Sequence, residues 1–258
     1  MIPERLVPGT QEWDQYHYEH EQRYEFFAPR FRGLDVLDVA CGIGYGSAIL
    51  ADGGGKTVTG VDVAAEAVDY ARQHYVRPGV DFVNCRAEDL HELGRVFDGA
   101  VSFETIEHVP DPRRFIEAVH GVLRPGGLFV CSTPNRDFRG KNGTANPYHL
   151  SEMSFAEFAK VFADFFRIDE QYYQSHSDAY LRHLSLVREV DRIARVNRFS
   201  KFLAAENWLR GLLKKDRWDL KPMASALAQA VPGDFIIAPL TAPRDSQLTF
   251  ILVGRSRQ

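Results

Sequence analysis

Apolar residues over the first two thirds of the chain fall into short unbroken runs, separated by stretches with helical spacing. Leu34–Cys41 (LDVLDVAC) is an apolar run of strand length, followed at once by a glycine-rich turn and Ala48–Ala51. Lys56–Val63 predicts a second strand, and Ala64–Tyr75 is spaced as a helix through Ala67, Val68 and Ala71. Val80–Cys85 predicts a third strand and Phe97–Glu104 a fourth. A polar loop then leads to a helix over Asp111–Leu123, with Pro112 suited to its first turn. Pro125-Gly126-Gly127 turns into a fifth strand, Leu128–Ser132. Ser154–Phe165 reads as helix, Phe166–Gln174 as strand and Leu248–Gly254 as the last strand. Residues 11–30, crowded with aromatic and charged side chains, read as one helix or two.

Strands alternating with helices at this spacing imply an α/β fold: a doubly wound, mostly parallel, seven-stranded sheet with right-handed crossovers. Unbroken rather than alternating apolar strands agree with cover on both faces. Residues 178–221 break the alternation, being mostly helical, and read as an insertion before the last strand. The organisation expected is an N-terminal helical segment (1–30), a core (31–177), a helical basic cap (178–235) and the strands that complete the sheet (236–258).

Composition narrows the class. The 258 residues carry 31 Lys and Arg against 35 Asp and Glu, and 45% are hydrophobic. That excludes a disordered chain, and no large positive total is available for a nucleic-acid partner. Three scattered cysteines make neither a disulfide framework nor a zinc knuckle. No secretory leader and no run of about 18 apolar residues is visible, so a soluble, cytoplasmic protein is expected. The charge is uneven, however. Residues 178–222 hold eleven Lys or Arg and six acids, +5, which leaves −9 elsewhere. Leu184, Val187, Val190, Ile193 and Val196 form an apolar stripe there. Such a segment serves as a lid, a homodimer contact or a membrane-surface element with Trp208 and Trp218 at the interface.

Chemistry concentrates after the first strand, in Asp38-Val39-Ala40-Cys41-Gly42-Ile43-Gly44-Tyr45-Gly46-Ser47. Glycines there permit a tight turn and close approach of a ligand to the backbone. In an open α/β sheet the ligand lies beyond the carboxyl ends of the strands, where this loop falls. A nicotinamide fingerprint reads G-x-G-x-x-G. Here the spacing is G-x-G-x-G behind an acid, which repels a pyrophosphate and suits a ligand carrying an ammonium and a sulfonium. Asp62, at the end of the second strand, can accept both hydroxyls of a ribose.

Asp38, the glycine loop, Asp62 and the order of elements strongly resemble the class I S-adenosylmethionine-dependent methyltransferases, over roughly Val36 to Pro134. Ala87-Glu88-Asp89-Leu90, Phe97-Asp98, Glu104–His108 (ETIEH) and Leu123-Arg124-Pro125-Gly126-Gly127 match in sequence order. The resemblance implies a Rossmann-like fold with S-adenosyl-L-methionine as cofactor and S-adenosyl-L-homocysteine as product. By it, Gly42 and Gly44 line the methionine portion, Asp38 reaches the ammonium and Asp62 holds the ribose. Val63 packs on the adenine, Ala87 and Glu88 read its edge, and Ala40 and Glu104 complete the set. Arg86 departs from the aspartate that many relatives carry before the alanine. Arg23, in His20-Glu21-Gln22-Arg23-Tyr24, either pairs with the cofactor carboxylate or stands on a solvated helix face.

Methyl transfer to an alcohol needs a proton acceptor. Two loop histidines are candidates, His149 first and His108 second, although either could merely brace its loop. No metal site is expected, because Glu104, Glu107 and His108 lack HExxH-type spacing. The Asn-Pro-Pro-Tyr signature of amine methylation is absent, with Ser132-Thr133-Pro134-Asn135 in its place. The strings SFETIEH, STPN and NPYHLSEMS resemble a bacterial subgroup linked to glycan and lipopolysaccharide biosynthesis, which implies a sugar or glycan hydroxyl as acceptor. The basic segment would favour an anionic one. Tyr148, Tyr172, Tyr173 and Tyr180 either stack on sugar faces or belong to the core. A phenolic or quinone-like acceptor, or a cofactor-binding partner without catalysis, are the alternatives.

Overall fold

In the computed structural model, β1 (Asp35–Val39), β2 (Thr57–Asp62), β3 (Val80–Asn84), β4 (Phe97–Ser102) and β5 (Leu123–Pro134) follow one another as the apolar runs predict. Helices α2 (Tyr45–Asp52), α3 (Ala65–His74) and α4 (Pro112–Gly121) alternate with them. Helix α1 (Gln11–Phe27) precedes this series; α5 (Phe155–Ala163), β6 (Phe166–His176), β7 (Phe235–Pro239) and β8 (Thr249–Ser256) follow it. The structure describes residues 8–137, 146–177, 235–241 and 248–257. The chain divides into two compact units, Met1–Ser175 with Phe235–Gln258, and His176–Asp234. The basic stretch 178–222, with Tyr180, Trp208 and Trp218, lies outside the described residues. Among the described residues no helix is long and apolar enough to cross a membrane.

The sheet order is β3-β2-β1-β4-β5-β8-β6-β7. Pairing is parallel from β3 to β5, and β8 runs antiparallel to both β5 and β6. Because β1 lies between β2 and β4, the winding reverses there, and a crevice opens at the carboxyl ends of β1 and β4.

Successive strand residues serve opposite faces. Leu37, Val39, Phe129, Cys131, Phe250 and Leu252 pack with Phe115 and Val119 of α4 and with Phe158 and Phe162 of α5. Val36, Val101, Val130, Ile251 and Val253 pack with Tyr24 and Phe27 of α1 and Leu50 of α2. Two-sided burial is the reason these strands read as unbroken apolar runs.

Two expectations on the strands change. Among the described residues the sheet has eight strands rather than seven: Phe235–Pro239 is short and ends in proline, and long-range partners define it. Gln22 Nε2 donates to the Phe235 carbonyl (2.8 Å) and Leu240 N–H to the Gln171 carbonyl (2.8 Å). The fifth strand begins at Leu123 rather than Leu128. The Pro-Gly-Gly turn is absorbed as an irregularity, the register passing from Phe97↔Leu123 to Gly99↔Leu128.

Helix α5 begins with a capping box: Ser154 Oγ accepts from Glu157 N–H, and the Glu157 carboxylate accepts from Ser154 N–H at 2.8 Å. Bonds from Ser154 and then Arg136 pull the Glu157 carboxyl down to about 2. Ser154→Ala is therefore expected to cost about 1 kcal/mol of unfolding free energy, read by urea denaturation at neutral pH.

Candidate active site

A cavity of about 590 Å³ opens at the switch between β1 and β4, lined by the loops that follow β1, β2, β3 and β4 and by residues of α1. The loop after β1 is fastened from beneath. Asp38 is fully buried, and Ser47 Oγ (2.6 Å) and Tyr24 Oη (3.0 Å) both donate to its carboxylate. This ties β1 to the start of α2 and to α1. Asp38 is not on the cavity wall, whereas Tyr24 is.

Burial, with a smaller push from the Asp62 charge, raises the Asp38 carboxyl from its ordinary 3.8 to about 6 against the pull of the two hydroxyls. The folded chain thus holds this proton more tightly than the unfolded chain. The group's contribution is full below pH 4 and is lost as pH rises through 6, a change of about 3 kcal/mol. Urea denaturation from pH 4 to 7 is expected to show that loss in the wild type, and Asp38→Asn to remove it from the difference between the two proteins.

Gly42 and Gly44 do different work. Gly44, at φ +95°, caps α2, and a Cβ there would lie 2.6 Å from Ala71 Cβ and 2.8 Å from the Phe82 ring. Gly42, at φ +57°, is on the wall, and a Cβ there would meet nothing within 4 Å. Gly44 is needed by the protein, and Gly42 keeps space clear for a ligand. Ala40 (φ 59°) and Glu104 (φ 51°) are the non-glycine residues held in the left-handed region among those described, and both are on the wall. Such backbone persists where its surroundings enforce it, as at ligand sites.

Asp62 closes β2 with a buried carboxylate. Its Oδ2 accepts Gly42 N–H (3.0 Å) and its Oδ1 accepts Ala64 N–H (2.9 Å). The Gly42 bond ties the end of β2 to the glycine loop. Val63 is 60% exposed on the wall, and Ala87 and Glu88 line the same end. Arg86 Nε lies 3.7 Å from Glu88 Oε2, so the departure from an acid at this position places a cation beside Glu88.

Arg23 is fully buried, which overturns the solvated-face alternative. It donates to Glu19 Oε1 (3.2 Å) and Gln174 Oε1 (2.5 Å) and lies 3.9 Å from Glu104 Oε1. Its Nε and Nη2 have no hydrogen-bond partner among the described residues. Arg23 itself is behind the wall, on which Glu104 stands, held by Ser132 Oγ (2.9 Å). His20 is also on the wall; burial and then the Arg23 charge push its pKa well below the usual histidine range, so its ring is neutral. The string His20-Glu21-Gln22-Arg23-Tyr24 points to an Arg or Tyr at the cofactor and leaves His20 without a role. The signal was present, since His20, Arg23, Tyr24 and Phe27 share one helical face.

At the other end of the cavity the loop after β4 meets the segment after β5. The Glu107 carbonyl accepts from Leu150 N–H (2.8 Å) and Ser151 N–H (2.9 Å), and Ser151 Oγ donates to the Val109 carbonyl (2.9 Å). This clamp brings the His108 and His149 rings to 4.8 Å, nearly perpendicular. His108 lines the cavity, while the His149 side chain is only 5% exposed and is not on the wall; His149 Nδ1 donates to Glu152 Oε1 at 2.7 Å. Val109, Pro110, Tyr148 and Leu150 complete an apolar rim. Of the tyrosines considered for sugar stacking, only Tyr148 is on the wall among those described. Tyr172 belongs to the core, packed on Phe26 and Phe27 with its hydroxyl bonded to Arg30 and Glu170.

Known proteins resemble this chain. Residues 37–131 match the methyltransferase domain family. The "Probable S-adenosylmethionine-dependent methyltransferase" of Mycolicibacterium smegmatis is 37% identical over 163 residues, 62% of this chain and 62% of the relative. A ubiquinone biosynthesis O-methyltransferase of Cereibacter sphaeroides is 42% identical over 109 residues, 42% of this chain and 44% of the relative. The chain thus spans less than two thirds of the length of these curated relatives. Among solved structures, an S-adenosylmethionine-dependent methyltransferase from Mesorhizobium loti superposes with TM-score 0.55 at 16% identity, covering 96% of this chain and 98% of the other. The N-methyltransferase NodS of Bradyrhizobium japonicum in complex with S-adenosyl-l-homocysteine gives 0.54 at 14% identity, covering 99% and 92%. Residues 37–131 therefore match a methyltransferase domain, set in a chain with the Rossmann-like α/β fold of S-adenosylmethionine-dependent methyltransferases.

Proposed function

We propose that this protein is an S-adenosylmethionine-dependent methyltransferase acting on a hydroxyl of a small molecule, with a phenolic or quinone-like ring as the acceptor. S-adenosylmethionine is the cofactor. The observation that carries this reading is a single cavity with Gly42, Asp62 and Glu88 at one end and His108 under an apolar rim at the other. Gly42 leaves clear space, and Glu104, on the wall, suits the cofactor ammonium. Asp62 takes the ribose diol, and Val63 packs on the adenine above Glu88.

The acceptor oxygen attacks the methyl carbon in line with the breaking C–S bond. The sulfonium becomes a neutral thioether, and the hydroxyl proton leaves at the His108–His149 end. The protein's part is alignment of the two reactants and management of that proton. The apolar rim and the likeness to ubiquinone O-methyltransferases over 109 residues favour a flat acceptor over a sugar. A sugar or glycan hydroxyl is the second reading, supported by the basic stretch 178–222.

Incubation with methyl-labelled S-adenosylmethionine and a panel of catechols, hydroquinones and sugar nucleotides tests the proposal. The expected product is a methyl ether on a phenolic ring. Label on a sugar hydroxyl would favour the second reading, and label on nitrogen or carbon would overturn both.

A further inference from the structure

Glu107, His108 and His149 reach one point from two segments, and one ligand atom of each lies within 4.8 Å of the others. Their partners fix where the ring protons are. His108 Nδ1 stands 3.1 Å from the Tyr148 carbonyl, and His149 Nδ1 stands 2.7 Å from Glu152 Oε1. A carbonyl and a carboxylate only accept, so both Nδ1 atoms donate, and in a neutral ring the lone pair is then on Nε2. His108 Nε2 faces Glu107 Oε1 at 3.7 Å. That is too long for a hydrogen bond and sets one acceptor against another.

The Glu107 side chain is 1% exposed, and its other oxygen accepts from Thr133 Oγ1 at 3.3 Å. Glu107 and the two imidazoles thus bring three metal-ligating groups to one place. Anchoring a ligating histidine through its second nitrogen to a carbonyl or carboxylate is how proteins orient metal ligands. Glu107 Oε1 and His108 Nε2, at 3.7 Å, stand near the roughly 3.4 Å separation between ligands of a tetrahedral shell with 2.1 Å bonds.

We infer that Glu107, His108 and His149 form a binding site for a divalent transition cation at the acceptor end of the cavity. Two imidazoles and one carboxylate suit Zn²⁺, Fe²⁺ or Co²⁺, rather than Mg²⁺ or Ca²⁺ with their all-oxygen shells. Three protein ligands leave a coordination position open. His108 lines the cavity, so that position is within reach of an acceptor. Resting on the methyl-transfer reading, its use would be to bind the acceptor hydroxyl and ease loss of its proton to solvent. The bound oxygen then attacks the methyl carbon while the C–S bond breaks. The spacing of Glu104, Glu107 and His108 concealed this site because the third ligand comes from the segment after β5.

Co²⁺ is titrated into chelator-treated protein and followed by visible ligand-field absorption, with S-adenosylhomocysteine calorimetry on the same samples. One Co²⁺ per chain is expected. Glu152→Gln, which removes only the carboxylate that orients His149, is expected to weaken Co²⁺ binding about 10–100-fold. His149→Ala is expected to abolish it, and both variants are expected to bind the homocysteine compound as the wild type does, which shows that they fold. No absorption in protein that binds the homocysteine compound would overturn the inference, as would equal Co²⁺ binding in His149→Ala. Co²⁺ binding without homocysteine-compound binding would instead remove the methyl-transfer reading and leave the metal site standing.

Discussion

Gly42→Val is expected to weaken S-adenosylhomocysteine binding by about 100-fold or more while the chain stays folded. A Cβ at Gly42 meets no protein atom within 4 Å, and Gly42 is on the cavity wall, so the added side chain occupies ligand space. The left-handed backbone (φ +57°) makes valine cost about 1–2 kcal/mol of strain, which a domain of this size tolerates. Two residues on, Gly44→Ala is expected to behave oppositely. Its Cβ would stand 2.6 Å from Ala71 Cβ and 2.8 Å from Phe82 at φ +95°, overpacking the join of α2, α3 and β3 at a cost of about 1–3 kcal/mol plus strain. Calorimetry and thermal unfolding on both variants separate the roles. Loss of stability in Gly42→Val equal to that in Gly44→Ala would contradict the division.

His108→Ala is expected to lower turnover by about 100-fold or more, with S-adenosylhomocysteine affinity moving by less than about threefold. The ring lines the acceptor end of the cavity, away from Asp62 and Glu88. His149→Ala is expected to match it, although His149 is off the wall: the Glu107 carbonyl, bonded to Leu150 and Ser151, holds the two histidine segments as one unit. Residues acting as a unit lose their effect together. Single-turnover rates with bound cofactor check this, and an unaffected rate in His108→Ala would remove this end of the cavity from the chemistry.

How much of this was legible in the sequence depends on how local each feature is. β1, β2, β4 and most of β5 are buried on both faces, so each writes its own apolar run, whereas the edge strand β3 fully buries only Phe82. β7 is apolar too, but it is five residues long and ends in proline, and bonds from Gln22 to Phe235 and from Leu240, beside it, to Gln171 hold it at the other edge. Part of the cavity wall was legible, since Gly42, Asp62, Ala87 and Glu88 lie at or just after the ends of strands. What they do was less so. Asp38 reads as a ligand-facing acid, but Ser47 and Tyr24 enclose it, and neither bond has a sequence signature. Arg23 reads equally well as a cofactor contact or a solvated surface residue until Gln174 and Glu104 close over it. The acceptor end depends on pairing Glu107 and His108 with a histidine from another loop. Tyr172 shows the reverse error, a residue typical of binding surfaces placed in the core by Phe26, Phe27 and Arg30.

The central claim is that the cavity between β1 and β4 takes S-adenosylmethionine rather than a dinucleotide. Titration calorimetry of the wild-type chain with S-adenosylhomocysteine and, separately, with NAD tests it most directly. Saturable one-to-one binding of the homocysteine compound, lost in Gly42→Val, with no heat from NAD, is the result predicted. Tight NAD binding with no response to the homocysteine compound would contradict it.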